Sequence, residues 1–527
     1  MPTGADLLVA RLHHHGVRHV FGMPGSHSTH IYDALHRHGG IETILCRNEQ
    51  AGAYMADGYA RTTGRPGVIC TTAGPGATNA LSGLAEAYSD SVPVLLLTGQ
   101  VNHDRLHEEC GHYHELDLEG VFKPCTRLSA TLMKNRDLPT IVDLTFRAMT
   151  SGRPGPAALI LPQDLMALPA DLDTPGLQEP WPSPLAPNPV VISRALELLR
   201  THQRPLILAG GGAVWSGAAG EIKALAELLN CPVITTLNGK GILDERDPSS
   251  LGHGRSIRAH QAIPHADAMI AIGCRFTEVF TWFGKMPIPK ALIQIDLDNR
   301  QIGMNYPVAV GIHADARLAL KCLLDELKPQ TSQWADAWTA ARAAVHPKPE
   351  WFVETLRATL PDDAIVATDA SEMAIRLQTD FPAYAPRKFF YPSNYIALGW
   401  GLPAAVGAAI ASPNTPVVSV SGDGGFMMNS QELATAIRYQ LKLIAIVHND
   451  SAYGAIRNLQ RTKHEARYHD TDLNNPDFMK LADAYGLPAA RAHNASDFAK
   501  ELRIALDRNG PSLIEVPDQW RQLRVPY

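Results

Sequence analysis

Long apolar runs are missing from this chain of 527 residues, so nothing in it is expected to cross a membrane; a spanning helix needs about 18 consecutive apolar residues. Cysteine is scarce. Cys46, Cys70, Cys110, Cys125, Cys231, Cys274 and Cys322 are scattered, with no CxxC pair. That spacing excludes a disulfide frame or a zinc site on paired cysteines, and points to a reducing cytoplasm. A surplus of positive charge is also missing. With a formal net charge of −6, the chain has no basic footprint for nucleic acid or a membrane surface. The opening MPTGADLLVARL lacks the basic flank and apolar centre of a secretion signal and is expected to be a capped amphipathic helix. Histidine is plentiful at 22, yet only His13-His14-His15 form a run. They sit at a helix end before Gly16, where cationic side chains suit the helix dipole, and are expected at the surface.

What is present is enough chain for about three domains, at roughly 150 residues each. The expected boundaries are 1–168, 190–330 and 350–527. In the first, Thr3 caps a helix, Val17–Phe21 is a strand, and strands follow near Thr43–Leu45, Gly67–Thr71 and Val92–Leu97 with helical patterns between. Such alternation implies a parallel sheet covered on both faces. Pro154–Leu165 closes this domain. Pro169 to Pro189, with Pro180, Pro182, Pro184 and Pro187, is a stiff linker. A helix from Ile192 opens the middle domain. Its strands are Pro205–Ala209, ending on Gly210-Gly211-Gly212, then Pro232–Thr236, Ala268–Ile272 and Ala291–Ile295. A second linker surrounds Val345–Pro349, and Ala364–Thr368 begins the last domain with Asp369 at the strand end.

The stretch from Val417 to Ile456 carries the chemistry. Val417–Val420 is a short β-branched run, Gly422-Asp423-Gly424-Gly425 a tight loop, Asn429–Tyr439 a helix, and Leu443–Val447 a second strand ending on His448-Asn449-Asp450. In a parallel sheet both strand ends reach the same edge, where open α/β folds bind ligands. Asp423 and Asn449 would meet there. A carboxylate, an amide oxygen and a backbone carbonyl are hard oxygen ligands of the kind Mg²⁺ takes, with diphosphate and water completing an octahedron. The glycine loop and helix start offer N–H groups to the same phosphates. A plain Rossmann-like turn with a surface aspartate is the simpler reading; the paired asparagine argues against it.

Gly-Asp-Gly followed after roughly 25 residues by Asn resembles the thiamine-diphosphate motif. The chain is similar, over almost its whole length, to the thiamine-diphosphate family of acetolactate synthases and related 2-oxo-acid decarboxylases. Arg47-Asn48-Glu49-Gln50-Ala51-Gly52-Ala53, Thr72-Ala73-Gly74-Pro75-Gly76-Ala77-Thr78-Asn79, Tyr88-Ser89-Asp90-Ser91-Val92-Pro93 and Asn394–Gly407 also resemble family segments. The resemblance implies an α/β protein of three Rossmann-like parallel-sheet domains: pyrimidine-binding, central and diphosphate-binding. It implies Asp423, Asn449 and the Ser451 carbonyl as metal ligands. Glu49, Gly74, Leu398, Gly422, Asp423, Gly424, Gly425, Asn449 and Tyr453 are the implied cofactor contacts.

By the same resemblance Glu49 is the catalytic glutamate. A carboxyl bonded to the aminopyrimidine N1′ favours the imino tautomer that takes the weakly acidic C2 proton. Leu398 stands where an apolar residue bends the cofactor into a V. Among Ser26, His27, Ser28, His30, His112 and His114, facing the substrate in the family, His27 and His114 are the acid/base or carboxylate-binding candidates; exposed loop histidines are the alternative. In acetolactate synthases the central domain binds FAD without redox use. Gly273-Cys274-Arg275-Phe276 resembles part of the flavin segment, so FAD and a purely structural set of glycines both stay open.

The implied reaction is an enamine formed from a 2-oxo acid with loss of CO₂, then ligated to a second carbonyl compound. Two departures bear on this. Glu372 and Met373 replace the family's Gln-His, and Leu459 replaces the tryptophan that helps select the second 2-oxo acid, while Arg457 remains to bind a carboxylate. Simple decarboxylation to an aldehyde is the alternative, and a non-catalytic scaffold subunit is one of another class. A homodimer or homotetramer with active sites between subunits is the expected assembly, with no nucleic-acid or membrane partner.

Overall fold

The computed structural model describes residues 1–108, 110–177, 183–345 and 351–517. Pro180, Pro182 and Pro349, assigned to linkers above, lie outside the described residues. Three six-stranded sheets follow one another, and every ladder is parallel. The first holds β1 (His19–Gly22), β2 (Glu42–Leu45), β3 (Gly67–Thr71), β4 (Val94–Gln100), β5 (Leu128–Thr131) and β6 (Ala157–Pro162) in the order β2-β1-β3-β4-β6-β5. The middle sheet holds β7 (Pro205–Ala209), β8 (Val233–Thr235), β9 (Ser250–His253), β10 (Ala268–Ile272), β11 (Ala291–Asp296) and β12 (Val310–His313), ordered β12-β11-β10-β7-β8-β9. The third holds β13 (Ile365–Thr368), β14 (Phe389–Phe390), β15 (Val417–Gly422), β16 (Leu443–Asn449), β17 (Ala489–Arg491) and β18 (Ser512–Pro517), ordered β14-β13-β15-β16-β18-β17. Central strands are mostly apolar and buried because helices cover both faces; all seven residues of β4 are buried.

The first and third sheets share one strand order, and the middle sheet has the doubly wound order. Strand order reverses between β1 and β3, between β7 and β10, and between β13 and β15. Open α/β sheets bind ligands at such points, beyond the carboxyl ends of the strands.

The first and third sheets are locked together by the helices Glu49–Thr63 and Gly401–Ala411. A methyl group on Gly58 would run into the Ala404 backbone, and one on Gly407 into that of Met55, so glycine is what lets the helices approach. One hydrophobic core spans both, from Phe21 and Tyr54 to Trp400 and Val447. A buried ion network reinforces it. Arg61 pairs with Asp57 (2.5 Å) and Asp90 (2.9 Å), and Asp90 in turn accepts the Ser393 N–H (3.0 Å) and hydroxyl (2.7 Å).

Several local expectations change. The helix expected from Asn429 to Tyr439 starts instead at Asp423, with Gly422 as its N-cap, and breaks at Ser430–Glu432 before resuming over Leu433–Arg438. Gly424 and Gly425 are thus first-turn helical residues, not loop. Pro189 opens the helix Pro189–Thr201 behind the Asn188 cap, where the missing proline N–H is unneeded. The histidine run is not all surface. His15 bonds Asp143 (2.7 Å) and stacks on Phe146, while Arg11 holds the same carboxylate. β5, β9, β12, β14 and β17 are short edge or near-edge strands that carry little pattern.

Candidate active site

At the β13/β15 edge lies a cavity of about 330 Å³. Asp423, Gly422, Gly424, Gly425, Leu398 and Tyr453 are among the residues that line it. β15 and β16 run in register, with Gly422 beside His448, so Asp423 and Asn449 come together just past the paired strands. Their oxygens converge on one point, since the Asn475 amide donates to both Asp423 (2.5 Å) and Asn449 Oδ1 (3.0 Å). The Asn449 amide donates to Glu515 (2.8 Å), which fixes the oxygen toward Asp423. Ser451 is left-handed (φ 53°), and its carbonyl accepts the Leu473 N–H (2.8 Å). A carbonyl keeps a second lone pair for another partner.

The floor is acidic and glycine-lined. Burial pushes the Asp423 carboxyl up. Burial and the neighbouring Asp423 push Asp450 up to about 7, and burial raises Glu372 too. A methyl group on Gly424 would come to 2.6 Å from the Tyr453 ring, and one on Gly425 to 3.2 Å from the Asp369 carboxylate. Leu398 is not a core residue; it is 36% exposed and lines the cavity. Its loop is pinned on both sides. The Ala397 N–H donates to Glu86 (3.1 Å), the Gly399 N–H to Asp369 (3.2 Å), and the Asn429 amide to the Gly399 carbonyl (2.8 Å). Ile396 is left-handed at φ 61°, a conformation a β-branched residue holds only when its surroundings impose it.

A second cluster sits at the β1/β3 edge of the first sheet. Glu49 begins its helix behind the Asn48 cap, is 8% exposed, and accepts from the Asn79 amide (3.0 Å). His27 and His114 have ring centroids 5.4 Å apart, with Tyr113 stacked on both. His27 is 4% exposed, so it is no exposed loop histidine, and burial lowers its pKa, with His114 adding to the effect. Gly74 (φ 56°) lies against His114, where a side chain would collide. The His27 N–H reaches Thr72 (3.3 Å), and Thr72 and Glu49 both abut Gly76, so histidines and glutamate share one edge. Ser26 bonds His27 (3.1 Å), Ser28 closes its own turn on Gly25, His30 is exposed, and His112 pairs with Glu108.

Among the described residues the Asp423 cavity does not reach the first-sheet cluster. None of the residues lining the Asp423 cavity comes from residues 1–168. Arg457 pairs with Asp472 and lies 4.3 Å from the Tyr468 ring centroid, so its charge is already engaged; neither it nor Leu459 lines the cavity. Asn475 and Glu515 were missed in the sequence, where neither belongs to a local pattern.

Three family models cover the chain in the same order as its sheets. Residues 2–121 match the thiamine pyrophosphate enzyme N-terminal TPP binding domain, 192–323 the central domain, and 369–516 the C-terminal TPP binding domain. The chain belongs to the thiamine pyrophosphate enzymes. It is 35% identical to a probable acetolactate synthase large subunit of Methanocaldococcus jannaschii, over 97% of this chain and 91% of the relative. An acetolactate synthase of Arthrospira platensis is also 35% identical, over 98% and 94%. A probable 2-ketoarginine decarboxylase, AruI, of Pseudomonas aeruginosa is 33% identical, over 98% and 94%. This is therefore an acetolactate synthase-like enzyme that uses thiamine diphosphate. No helix among the described residues is long and apolar enough to cross a membrane.

The donor set fits that cofactor. Two oxygens already converge on a single point beside a glycine-lined floor, with a pinned apolar side chain above it.

Proposed function

We propose that Asp423, Asn449 and the Ser451 carbonyl hold Mg²⁺ against the cofactor diphosphate, and that Glu49, His27 and His114 of a partner copy complete the site. Bound thiamine diphosphate supplies a carbon nucleophile and an electron sink for loss of CO₂ from a 2-oxo acid. Glu49 would hold a proton at its carboxyl and orient the pyrimidine ring. His27 and His114 would exchange protons with the substrate or bind its carboxylate. Gly74, Gly422, Gly424, Gly425 and Tyr453 would border the cofactor, and Leu398 would set its bend. The observation that carries this reading is the convergence of Asp423 and Asn449 on one donor beside the Leu398 loop. The domains would divide at 1–168, 190–330 and 350–527.

Ligation to a second carbonyl compound is the favoured outcome, as the acetolactate synthase relatives suggest. Release of an aldehyde is the second reading, supported by Leu459 standing where the family carries a tryptophan and by the decarboxylase relative. A product assay decides. Purified enzyme with cofactor and Mg²⁺ is given pyruvate and a panel of 2-oxo acids; acetolactate means ligation, and CO₂ with an aldehyde means decarboxylation.

A homodimer is the smallest assembly that would bring Glu49 to Asp423, and a tetramer would pair two such dimers. The seven free cysteines suit a cytoplasmic setting. In the middle domain a cavity of about 640 Å³ opens at the β7/β10 edge, bordered by Gly211, Gly212, Gly273, Arg275 and Asp296. FAD is its candidate occupant. Flavin absorbance in the purified protein tests that, and a colourless protein would reject it.

A further inference from the structure

The segment from Phe276 to Met286 joins the middle domain to the Asp423 cavity. Its aromatic residues divide sharply. Phe276 and Phe280 are buried in the middle-domain core, and Trp282 stacks on His260 with centroids 3.9 Å apart. Phe283 alone turns outward; it is 60% exposed and borders the cavity that holds Asp423. Trp282 and Phe283 are both left-handed, at φ 55° and 57°. Bulky residues rarely adopt that conformation, and where they do the strain is held by surrounding contacts, most often at functional sites. Here the contacts are the Phe283 N–H to the Glu278 carbonyl (2.8 Å) and the Met286 N–H to the Thr281 carbonyl (3.0 Å).

The cavity lining is mixed. Its carboxylates are Asp423, Asp450 and Glu372, and Arg255 and Arg376 line it too. Its apolar lining includes Val279, Phe283, Ile396, Leu398 and Ile456. Ile456 is itself 51% exposed. We propose that Phe283 is a specificity-determining residue of this active site, and that with Ile456 it selects 2-oxo acids with an apolar side chain. This rests on the cavity being the thiamine-diphosphate site. Phe283 and Ile456 offer a substrate side chain apolar contact and no counter-charge of their own.

The test compares Phe283→Ala and Phe283→Asn with wild type. Asparagine tolerates the left-handed backbone, so it deletes the ring without disturbing the turn. The readout is kcat/KM for pyruvate, 2-oxobutyrate, 4-methyl-2-oxopentanoate and 5-guanidino-2-oxopentanoate, with cofactor affinity measured by fluorescence titration. Wild type should prefer an apolar side chain over the guanidino one. Both variants should lower that preference about tenfold, the scale of losing apolar contact with one or two carbons, through KM more than kcat and with cofactor affinity unchanged. A preference unchanged within about twofold in both variants, or an equal loss on all substrates, overturns the role of Phe283 while leaving the enzyme reading intact. Wild-type preference for the guanidino acid overturns the apolar assignment. No turnover of any 2-oxo acid by wild type overturns both readings.

Discussion

Glu49→Gln isolates the proton at the first-domain edge. One Glu49 oxygen accepts from the Asn79 amide at 3.0 Å, and the other faces Gly76, where a methyl group would come to 3.1 Å. Glutamine has nearly the same shape and keeps an oxygen for Asn79. The folded state should therefore lose no more than about 1 kcal/mol, the scale of one adjusted hydrogen bond. What it lacks is a carboxyl that can give and take a proton. A positioned acid/base group is typically worth about 10²–10⁴ in rate, and at about 1.4 kcal/mol per decade that is roughly 3–5 kcal/mol of barrier. The variant should melt near wild type, bind thiamine diphosphate within about threefold, and turn over at under a hundredth of the wild-type rate. Fluorescence titration, thermal unfolding and CO₂ release read the three separately. A folded, cofactor-loaded variant that keeps more than about a tenth of wild-type turnover would refute the assignment. A large loss of stability would instead refute the claim that the site tolerates glutamine.

Gly424→Ala should drive a methyl group into the Tyr453 ring at 2.6 Å, and weaken cofactor binding at least tenfold while the fold persists, as titration of the variant will read. Arg61→Met removes the cation bonded to buried Asp57 and Asp90, beside Glu86. Breaking such a network should cost about 3–5 kcal/mol and appear as a clear fall in apparent Tm; an unchanged Tm would show that the carboxylates simply take up protons. Mg²⁺ loading should depend on pH with a definite sign. Asp450 is pushed up to about 7 and Asp423 is raised too, so the metal-free site keeps protons that ligation must expel. Affinity should fall from pH 8 to pH 6, by about tenfold per unit below 7 for one proton released, and a pH-independent Mg²⁺ titration at saturating thiamine diphosphate would contradict it.

The sequence showed what lies within one βαβ unit. Asp423 and Asn449 were legible because β15 and β16 are neighbours in the chain and in the sheet, so the spacing of the motif is the geometry of the unit. The alternation of strands and helices likewise gave three parallel sheets. What stayed hidden joins distant segments. Glu432 accepts the Arg47 N–H at 3.0 Å across 385 residues, and Asn475 and Glu515 hold Asp423 and Asn449 from separate loops and strands. No periodicity signals such contacts. The helix beginning at Asp423 was missed because Gly-Asp-Gly-Gly has poor helix propensity. Tertiary packing overrides it, since Tyr453 and Asp369 leave no space for side chains at Gly424 and Gly425. His15 went unrecognised for a related reason, because its partner Asp143 lies on a helix far along the chain.

The shared strand order of the first and third sheets bears on how an active site would be assembled. In both sheets the strand order reverses between the first and third strands, so both present an edge suited to a ligand. The contents differ. The first edge gathers Glu49, His27 and His114, which in the proposed reaction would handle protons; the third gathers Asp423, Asn449 and glycines, which suit a metal and phosphate. On the proposed reading neither group would be sufficient alone. Within one chain the two sheets are joined by the helix pair at Gly58 and Gly407, and the Asp423 cavity takes no residue from the first domain. A twofold pairing of chains would meet both needs at once, because an isologous contact that brought Glu49 of one copy to Asp423 of another would also make the reciprocal site. The proposal therefore implies complementation. In a mixture of Glu49→Gln and Asp423→Asn chains, each hybrid dimer holds one site with both lesions and one with neither. Random exchange makes about half the dimers hybrid, so about a quarter of sites should recover; two inactive variants that stay inactive after verified subunit exchange would place both groups in one chain's site.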